Sequence, residues 1–493
     1  MSSILSRTRK SLRLGAAVSV ALGLSGVGAS AQDGGRTVEP VADTQQLLFF
    51  AAPEQAGDST FFLWASDGTR RGTQSVRASV VRDPLHVTAV GGGMVIFSGT
   101  ATRNDTGDEP WVSDGTRDGT RLLRDIVLNT SSSPRYFAPL GNGQVVFSAF
   151  TFEAGRELWI TDLSRGGTRL LVDIVPGNSA WNGDPREMTA IGNGLALFTA
   201  YTPTHGREVW VTDGTAEGTQ MLADLFPANN GQGDSSDTNP TERFWIPTFI
   251  PTGDGRAFFR HSDADGPGLW ITDGTLAGTQ RLNAAGLNAT PGLPVPLAGG
   301  RWLFSATQAG FRGTFVTDGS PAGTVELLPD GARLFGNTNA AAALGDGRVV
   351  FAATTAETGT ELWITDGTSN RTRLRRDIWP GSNGSLGAAS RFASLGDGRV
   401  LFTASDPDST GWELFITDGT RRGTRLLRDI NPVSGSLPTR YIPLADGRVA
   451  MVANDGTRGA EVWISNGRRS GTRLLRDITP GGGGPRGLTS VLP

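Results

Sequence analysis

The sequence predicts an all-β protein that forms a single β-propeller of four-stranded antiparallel blades. Three observations lead to this prediction: a unit of about fifty residues recurs nine times, each unit holds four short apolar runs, and the two ends of the repeat region complement each other. A period of about 40–50 residues with four strands per unit is typical of propeller blades. Such a unit cannot bury both of its faces alone, so it must pack between two neighbours.

The repeat is most visible at one aromatic position, where successive copies lie 45 to 60 residues apart. The position is occupied by Trp64, Trp111, Trp159, Trp210, Trp270, Phe315, Trp363, Phe415 and Trp463. Seven of the 12 Trp residues share this register, which indicates a structural role for them. Nine copies predict nine blades, with eight blades and one degenerate unit as the alternative.

The four apolar runs of a unit read as strands. In the seventh unit they span residues 342–344, 348–352, 361–365 and 373–378, and they are separated by segments rich in Gly, Asp and Thr. Apolar residues alternate with polar ones in the third run, and no helical spacing is present. Alternation between Gly and Asp turns is typical of half-buried strands, and we expect the first run of each unit to line the channel.

Two tight turns recur in each unit. The first joins runs one and two and usually reads Gly-Asp-Gly or Gly-Asn-Gly, which favours the positive φ angles of hairpins. The second joins runs three and four and opens with Asp67, Asp114, Asp162, Asp213, Asp273, Asp318, Asp366, Asp418 and Asn466. We expect these side chains to accept backbone N–H bonds within their own turns.

Calcium binding is the alternative role for these carboxylates. Calcium takes about six to eight oxygen ligands, whereas each turn supplies one carboxylate. The three histidines, His86, His205 and His261, lack metal-ligand spacing. We therefore expect no metal and no cofactor.

The ends of the repeat region predict how the ring closes. Residues 46–51 match a second run, and residues 487–492 match a first run. A strand from each end can therefore complete one shared blade, which removes an exposed sheet edge. We expect one propeller domain over residues 32–493.

The long motif carries a family resemblance. Copies of Glu-Leu-Trp-x-Thr-Asp-Gly-Thr-x-x-Gly-Thr-x-Leu-Leu-x-Asp-Ile span residues 361–378 and 413–430, with altered copies at 208–225 and 461–478. The motif resembles the ELWxxDGT-repeat family of exported bacterial proteins. The resemblance implies a secreted β-propeller and carries over no catalytic residue. The sixth unit departs most from the motif, because it has neither the Glu nor the Trp.

Residues 1–31 read as a signal peptide. Arg7, Arg9, Lys10 and Arg13 precede a short apolar run, and residues 29–31 read Ala-Ser-Ala, a pattern typical of signal-peptidase cleavage. We expect an exported protein in the periplasm, at the cell surface or outside the cell. No transmembrane segment is predicted, and we expect a monomer.

Composition excludes several classes of function. The chain has no Cys, so disulfides, thiol nucleophiles and Cys-ligated metals are excluded. Without residues 1–31, 41 basic residues face 48 acidic ones, a net charge of −7. A net acidic chain disfavours binding to nucleic acid.

Arginines near the start of the first run are candidate ligand-binding residues. They are Arg135, Arg186, Arg243, Arg391, Arg440 and Arg486. Around the mouth of a central channel they would attract carboxylate, sulfate or phosphate groups. The alternative is local pairing with Asp or Glu, or plain exposure to water.

Loop residues on the face opposite the tight turns form a second candidate set. They are Trp181, Tyr201, His205, Trp379 and Trp412. Such rings stack on sugars or anchor a protein partner, or they fill gaps between blades. The repeated Glu before Leu-Trp and the repeated Arg before Asp-Ile are expected to form ion pairs. Examples are Glu361 with Arg376 and Glu413 with Arg428.

These observations favour a secreted, non-catalytic propeller that binds a protein or glycan partner through the variable-loop face and the channel mouth, where the arginines would favour an anionic partner. One alternative is an extracellular polysaccharide hydrolase or lyase, for which Asp263 and Asp265 are the candidate acids. The other is a structural repeat protein of the cell surface or matrix. Fold alone does not choose among them.

Overall fold

The computed structural model describes residues 47–491 except for 55–58, 77–80, 103–105, 178–181, 226–248, 264–265, 283–286, 288–293, 309–310, 332, 409–410 and 479–483. The chain divides into two units, Met1–Val38 and Glu39–Pro493, and every described strand belongs to the second. The predicted signal peptide therefore lies outside the described residues.

The described residues form nine four-stranded antiparallel sheets that are arranged as a β-propeller, as predicted. The number of blades is therefore nine rather than the alternative of eight. The innermost strands, in ring order from blade 1 to blade 9, are β36 (Arg486–Val491), β4 (Val81–Gly91), β8 (Arg135–Pro139), β12 (Arg186–Gly192), β16 (Ile250–Pro251), β20 (Val295–Leu297), β24 (Phe335–Ala343), β28 (Phe392–Ser394) and β32 (Thr439–Pro443). The second strands are β1 (Leu47–Ala52), β5 (Met94–Ala101), β9 (Val145–Thr151), β13 (Leu195–Thr202), β17 (Ala257–Asp263), β21 (Arg301–Gln308), β25 (Val349–Thr355), β29 (Val400–Ala404) and β33 (Val449–Asn454).

The outer half of each blade holds two more strands. The third strands are β2 (Phe62–Ser66), β6 (Asp108–Ser113), β10 (Gly155–Thr161), β14 (Gly206–Thr212), β18 (Gly266–Thr272), β22 (Phe311–Thr317), β26 (Gly359–Thr365), β30 (Glu413–Thr417) and β34 (Ala460–Ser465). The outermost strands are β3 (Gln74–Ser75), β7 (Arg121–Leu122), β11 (Arg169–Val172), β15 (Gln220–Ala223), β19 (Gln280–Arg281), β23 (Val325–Glu326), β27 (Arg373–Arg376), β31 (Arg425–Arg428) and β35 (Arg473–Leu474). Within the described residues, two short 3₁₀ helices occur at Pro329–Gly331 and Ser369–Arg371.

The core lies between the blades. Buried apolar residues among the described positions form nine clusters, and each cluster joins two neighbouring blades. Phe402 is fully buried in the cluster between blades 7 and 8. It stands opposite Phe415 on the next strand, with ring centroids 5.7 Å apart. Burial of one such ring contributes about 2–3 kcal/mol, so each blade is stabilised by its neighbours.

The ring closes as predicted. β36 pairs antiparallel with β1, with Leu47 opposite Val491 and Leu48 opposite Ser490. Leu48 and Phe50 then pack against Val462 in the cluster between blades 9 and 1. The strand from the end of the repeat region thus supplies the innermost strand of the blade that begins the region.

Both tight turns of each blade lie on one face, which we call the tight-turn face. In the second turn, the Asp or Asn Oδ1 accepts the N–H two residues later at 2.8–3.1 Å in all nine copies. In blade 8 the Thr420 hydroxyl then accepts the N–H of Gly423, and the Thr424 hydroxyl donates to the Thr420 carbonyl. The carboxylate is therefore used inside its own turn.

Arginines link this face from blade to blade. Arg399 of blade 8 donates to the carbonyls of Asn466 and Gly467 in blade 9, at 3.1 and 3.0 Å. Arg448 of blade 9 reaches the Gly68 carbonyl of blade 1 at 2.9 Å in the same way. Arginines on this face therefore join neighbouring blades.

Candidate functional site

The channel mouth is the end of the innermost strands that lies opposite the tight-turn face. The structure places five of the six predicted arginines there, since Arg135, Arg186 and Arg486 begin their strands, Arg440 is the second residue of β32, and Arg391 directly precedes β28. Arg391, Arg440 and Arg486 are exposed, and the other two are half-buried. Arg243 lies outside the described residues.

A proline-led bulge shapes the innermost strand in blades 2, 3, 4 and 9. The segments are Asp83-Pro84-Leu85-His86, Ser133-Pro134-Arg135-Tyr136, Asp184-Pro185-Arg186-Glu187 and Leu437-Pro438-Thr439-Arg440, and the pairing register shifts within each strand just after the proline. Blade 1 repeats the pattern with Gly484-Pro485-Arg486-Gly487. A bulge re-aims a side chain that regular pairing would send elsewhere.

The last residue of each segment has a left-handed backbone. The φ angles are 55° at His86, 59° at Tyr136, 56° at Glu187, 53° at Arg440 and 59° at Gly487. Non-glycine residues avoid this region at a cost of about 1–3 kcal/mol each, and such residues concentrate at functional sites.

The described blades with a left-handed residue two positions after the proline are consecutive around the ring, from blade 9 through blade 1 to blade 4, and blade 1 places a glycine there. Blade 8 shows that the fold does not need the bulge, because Phe392, Ala393 and Ser394 pair in regular register with β29. Among the described first runs, the left-handed residues therefore belong to blades 9 and 1–4 and are not a requirement of the repeat.

The repeated Glu of the long motif holds these segments in place. Glu413 is fully buried and accepts the N–H groups of Ile430, Asn431 and Ser436 at 2.8–3.1 Å. Ser436 also donates its hydroxyl to Glu413 at 2.6 Å, two residues before Pro438. The carboxylate thus fixes the chain as it enters β32 and sets the position of Arg440.

The same arrangement recurs in other blades. Glu109 accepts the backbone N–H and the hydroxyl of Ser132, and Glu157 accepts the N–H of Gly183 at 2.6 Å. Burial raises the pKa of Glu109 and of Glu157 to about 7, although the hydrogen bonds that they accept act in the opposite direction. These carboxylates are positioning groups for the channel mouth.

The expected ion pairs between motif Glu and motif Arg are wrong. The arginines turn outward to the next blade: Arg124 donates to the Thr168 carbonyl at 2.6 Å, and Arg428 donates to the Thr472 carbonyl. Arg428 also lies over the Trp463 ring at 5.5 Å. The glutamates instead accept hydrogen bonds from the connection that leads into the next blade. The two repeated charged residues therefore stabilise different contacts between blades.

Arg391 and Arg440 line one cleft of about 510 Å³ between blades 8 and 9. Its other lining residues are Phe392, Thr439 and Tyr441. Arg391 donates to two backbone carbonyls, those of Ala388 at 2.9 Å and Ser390 at 2.8 Å. Among the residues that the structure describes, no carboxylate lines this cleft, so two positive charges face it uncompensated.

The opposite part of the mouth is arranged differently. Asp184 lies between three guanidinium groups, those of Arg135, Arg186 and Arg207. Arg207, nearly buried, also donates to the Asp184 carbonyl at 2.9 Å. Here the arginines are compensated by an acid, as the alternative prediction for them proposed.

His86 and Tyr136 meet across the boundary of blades 2 and 3, with ring centroids 6.3 Å apart. Burial and then the charges of Arg135 and Arg156 lower the pKa of His86. Burial and then the charge of Arg135 also lower the pKa of Arg156, to about 10. This wall therefore carries a neutral imidazole beside a phenol near neutral pH.

The predicted loop residues do not gather into one site. His205 is exposed and lies 2.8 Å from the Thr204 hydroxyl, and Tyr201 is half-buried at the end of β13. Trp379 is half-buried, and its backbone N–H donates to the Glu361 carboxylate. A Cβ placed on Gly387 would lie 3.4 Å from the Trp412 ring, so Trp412 covers this part of the connection between blades 7 and 8.

Other candidates fall partly outside the described residues. Trp181 and Asp265 lie there, and Asp263 ends β17 without a described side chain. Over the described part of the chain, no group of three or more His, Asp or Glu side chains is arranged to hold a metal ion. Within the same part, no helix is long and apolar enough to cross a membrane.

The mouth also contains features that the sequence prediction missed. The left-handed residues were not foreseen, although proline stands at the same place in five first runs, at positions 84, 134, 185, 438 and 485. Arg156 and Arg207 were missed as well, and they donate to the carbonyls of Ser133 and Asp184, each just before a proline.

Comparison with known proteins gives structural similarity alone. No family model matches the chain, and no curated protein matches it. Among solved structures, puromycin hydrolase is 17% identical with a TM-score of 0.34, over 82% of this chain and 61% of that chain. Acylaminoacyl peptidase of Pyrococcus horikoshii is 14% identical with a TM-score of 0.35, over 80% and 52%.

A computationally designed protein, Ika8, is 15% identical with a TM-score of 0.36, over 77% of this chain and 97% of that one. In contrast, the chain spans about 60% of the length of the puromycin hydrolase that it matches.

These comparisons correct the expected function. The prediction of a non-catalytic propeller that binds a protein or glycan is withdrawn, because solved structures matched by this chain include a hydrolase and a peptidase. The architecture thus gives no ground for assigning an absence of catalysis. At 14–17% identity and TM-scores below 0.4 the likeness concerns the fold, and no activity is transferred.

Proposed function

We propose that this propeller binds a small anionic ligand at its channel mouth, in the cleft between blades 8 and 9. The observation that carries the proposal is the pair Arg391 and Arg440, which line one cleft of about 510 Å³ beside no described carboxylate. The volume suits a small molecule, since such sites span about 300–1,000 Å³.

The charge balance supports an anion in particular. A guanidinium group presents a planar fork of donors that matches a carboxylate or phosphate. Arg391 spends one nitrogen on two backbone carbonyls, which orients the group without neutralising its charge. The exposed Arg486 begins the innermost strand of the next blade along the ring, so positive charge continues past the cleft.

The backbone supports binding rather than chance exposure. Arg440 has a left-handed backbone, and this conformation is unfavourable for a residue with a side chain. An exposed arginine without a function does not require it. The buried Glu413 fixes the entry to the same strand through Ser436. The Arg391 guanidinium, which two backbone carbonyls hold in place, loses little conformational entropy when a ligand arrives.

Fluorinated carboxylates observed by ¹⁹F NMR test the proposal. We expect 4-fluorobenzoate or trifluoroacetate to bind the protein, 4-fluorobenzyl alcohol to bind far more weakly, and affinity to fall as salt is added. The double change Arg391→Ala and Arg440→Ala should weaken binding about tenfold or more.

The matched control removes two exposed arginines from the tight-turn face of the same blade, Arg421→Ala and Arg422→Ala. It carries the same change of net charge, so retained affinity would place the effect at the cleft. Equal loss in both double variants, binding of the neutral alcohol as tight as that of the anions, or no binding of either anion would overturn the proposal.

Export and family membership are also proposed. The basic, apolar and Ala-Ser-Ala segments of residues 1–31 support a cleaved signal peptide, and the recurring long motif supports membership of the ELWxxDGT-repeat family. Expression in a Gram-negative host with N-terminal sequencing of the periplasmic fraction tests the first, with Gln32 as the expected first residue. An uncleaved chain in the cytoplasm would contradict it.

A further inference from the structure

Four of the five described arginines of the channel mouth have an aromatic ring beside them, and Arg186, which is followed by Glu187, is the exception. Arg135 is followed by Tyr136, Arg391 by Phe392 and Arg440 by Tyr441. The whole chain contains three Tyr, and two of them occupy these places. Arg486, whose strand neighbour is glycine, lies 4.3 Å over the Phe61 ring instead.

The cleft itself combines two guanidinium groups with two rings. Phe392 and Tyr441 line it together with Arg391 and Arg440. An anion that contacts either arginine would therefore also meet an aromatic wall. A purely hydrophilic anion gains nothing from that wall, and it would lose part of its hydration there.

The two rings are fixed before any ligand arrives. Phe392 stacks on the buried Phe402 with centroids 5.3 Å apart and planes 15° apart. The Tyr441 hydroxyl lies 2.9 Å from the Thr403 hydroxyl, which donates to the Pro438 carbonyl at 2.6 Å. Rings held in this way present a preorganised apolar surface, and both remain half-buried rather than fully enclosed.

The pairing of charge and ring recurs at the other side of the mouth. The Arg135 guanidinium lies 5.7 Å from the Tyr136 ring centroid, and His86 adds a third planar group next to it. Flat, apolar surface beside positive charge is thus a repeated property of this wall. Aromatic rings favour offset stacking with other rings at separations of about 4.5–7 Å.

We infer that the anionic ligand of the cleft carries an aromatic ring, as in a single-ring aryl carboxylate. The inference rests on the proposed function, since it adds a ring to the anion that Arg391 and Arg440 bind. The carboxylate would take the donors of the arginines, and the ring would lie against Phe392 and Tyr441.

The experiment compares three ¹⁹F probes on the full mature chain by ligand-observed NMR. 4-Fluorobenzoate offers both charge and ring, trifluoroacetate offers charge alone, and 4-fluorobenzyl alcohol offers the ring alone. We expect 4-fluorobenzoate to bind about tenfold or more tightly than either of the others, because only it meets both halves of the cleft.

The variant Phe392→Leu tests the ring contact while it keeps an apolar side chain over Phe402. It should lower the affinity for 4-fluorobenzoate several-fold and leave that for trifluoroacetate unchanged. Phe152→Leu is the matched control, because Phe152 is exposed outside the cleft and its loss should change neither affinity.

The outcomes separate this inference from the function on which it rests. Equal affinity for 4-fluorobenzoate and trifluoroacetate, both dependent on Arg391 and Arg440, would overturn the aromatic ligand and keep the anion site. Binding of 4-fluorobenzoate that Phe392→Leu leaves unchanged would also overturn it. Failure of both anions to bind would overturn the proposed function itself.

Discussion

The tight-turn face and the channel mouth are built from the same nine repeats, yet they treat backbone strain in opposite ways. On the tight-turn face, glycine takes the left-handed position after the Asp or Asn in eight of the nine turns, as at Gly419 with φ of 76°, and Leu163 is the exception. In the proline-led segments of the channel mouth, eight of the nine described left-handed positions carry a side chain. In the turns, which serve the fold alone, glycine avoids the strain of a left-handed backbone. At the channel mouth, where side chains must be oriented, the strain is retained.

The two regions also use their acids differently. Turn carboxylates such as Asp418 are exposed and accept bonds from their own turn. Glu413 begins the strand that ends just before Asp418, and it is fully buried and holds the chain that leads to Arg440. Repetition therefore marks two separate tasks, and the second task belongs to the mouth.

The largest effect that would sharpen this comparison is expected from Glu413→Ala. It leaves three buried N–H groups without an acceptor, so we expect about 3 kcal/mol of lost unfolding free energy, measured by urea denaturation. Affinity for 4-fluorobenzoate should fall as well, because Arg440 loses its support.

Asp418→Ala in the same blade is the control, with an expected loss of about 1 kcal/mol, typical of a removed side-chain cap, and an unchanged affinity. If Asp418→Ala weakened ligand binding as much as Glu413→Ala, the division of tasks between the two faces would not hold.

A second prediction concerns the pH dependence of stability, because folding shifts the pKa values of the carboxyl groups in the two regions in opposite directions. Hydrogen bonds from Thr215 lower the pKa of Asp213, so its stabilisation is present above the ordinary pKa of Asp and is lost in stronger acid. Burial raises the pKa of Glu109 and Glu157 to about 7, so their stabilisation is complete below their ordinary pKa and is lost as pH rises through about 7.

Thermal unfolding should therefore show the highest Tm near about pH 5 and a Tm several degrees lower at about pH 8. Differential scanning fluorimetry across this range measures the slope. The double variant Glu109→Gln and Glu157→Gln should flatten the slope above about pH 5, and an unchanged slope would assign the loss to other groups.

The smallest effect is expected from Arg440→Gly. Glycine relieves the left-handed strain, so we expect stability to rise by about 0.5 kcal/mol while affinity for the anion falls. Gly419→Ala makes the reverse change on the tight-turn face, where the new Cβ would lie 2.8 Å from Leu344.

That control should lose about 1–2 kcal/mol of stability and keep its affinity. Urea denaturation and the ¹⁹F titration measure both variants. A stability loss in Arg440→Gly would mean that the strain at the mouth supports the fold rather than the site.

The architecture was predictable because it rests on local patterns. The aromatic position shared by Trp64 and Trp463, the Asp turns and the match between residues 46–51 and 487–492 together predicted the blades and the closing strand. Each of these signals lies within one repeat or compares two repeats, so no knowledge of spatial neighbours was needed.

The site was predictable only in part, because its contacts cross blade boundaries. The starts of the first runs predicted arginines at the mouth, but they did not show that Arg391 and Arg440 share a cleft. The expected pairing of Glu413 with Arg428 failed because Arg428 reaches Thr472, 44 residues away in the next blade. Spacing along the chain does not reveal such contacts, and it does not reveal the sign of φ at Tyr136 or Glu187.

The closing pair of strands has a mechanical consequence. β1 and β36 are antiparallel and begin their pairing with Leu47 opposite Val491, so the first residue of β1 and the last residue of β36 lie at the same corner of the ring. A pull applied at these two residues would break the hydrogen bonds of the pair one after another, by unzipping, rather than load them all together in shear. Neighbouring blades stabilise one another against thermal unfolding. Under a small pulling force, however, the ring would open at this corner, and blade 1 would be the first to separate.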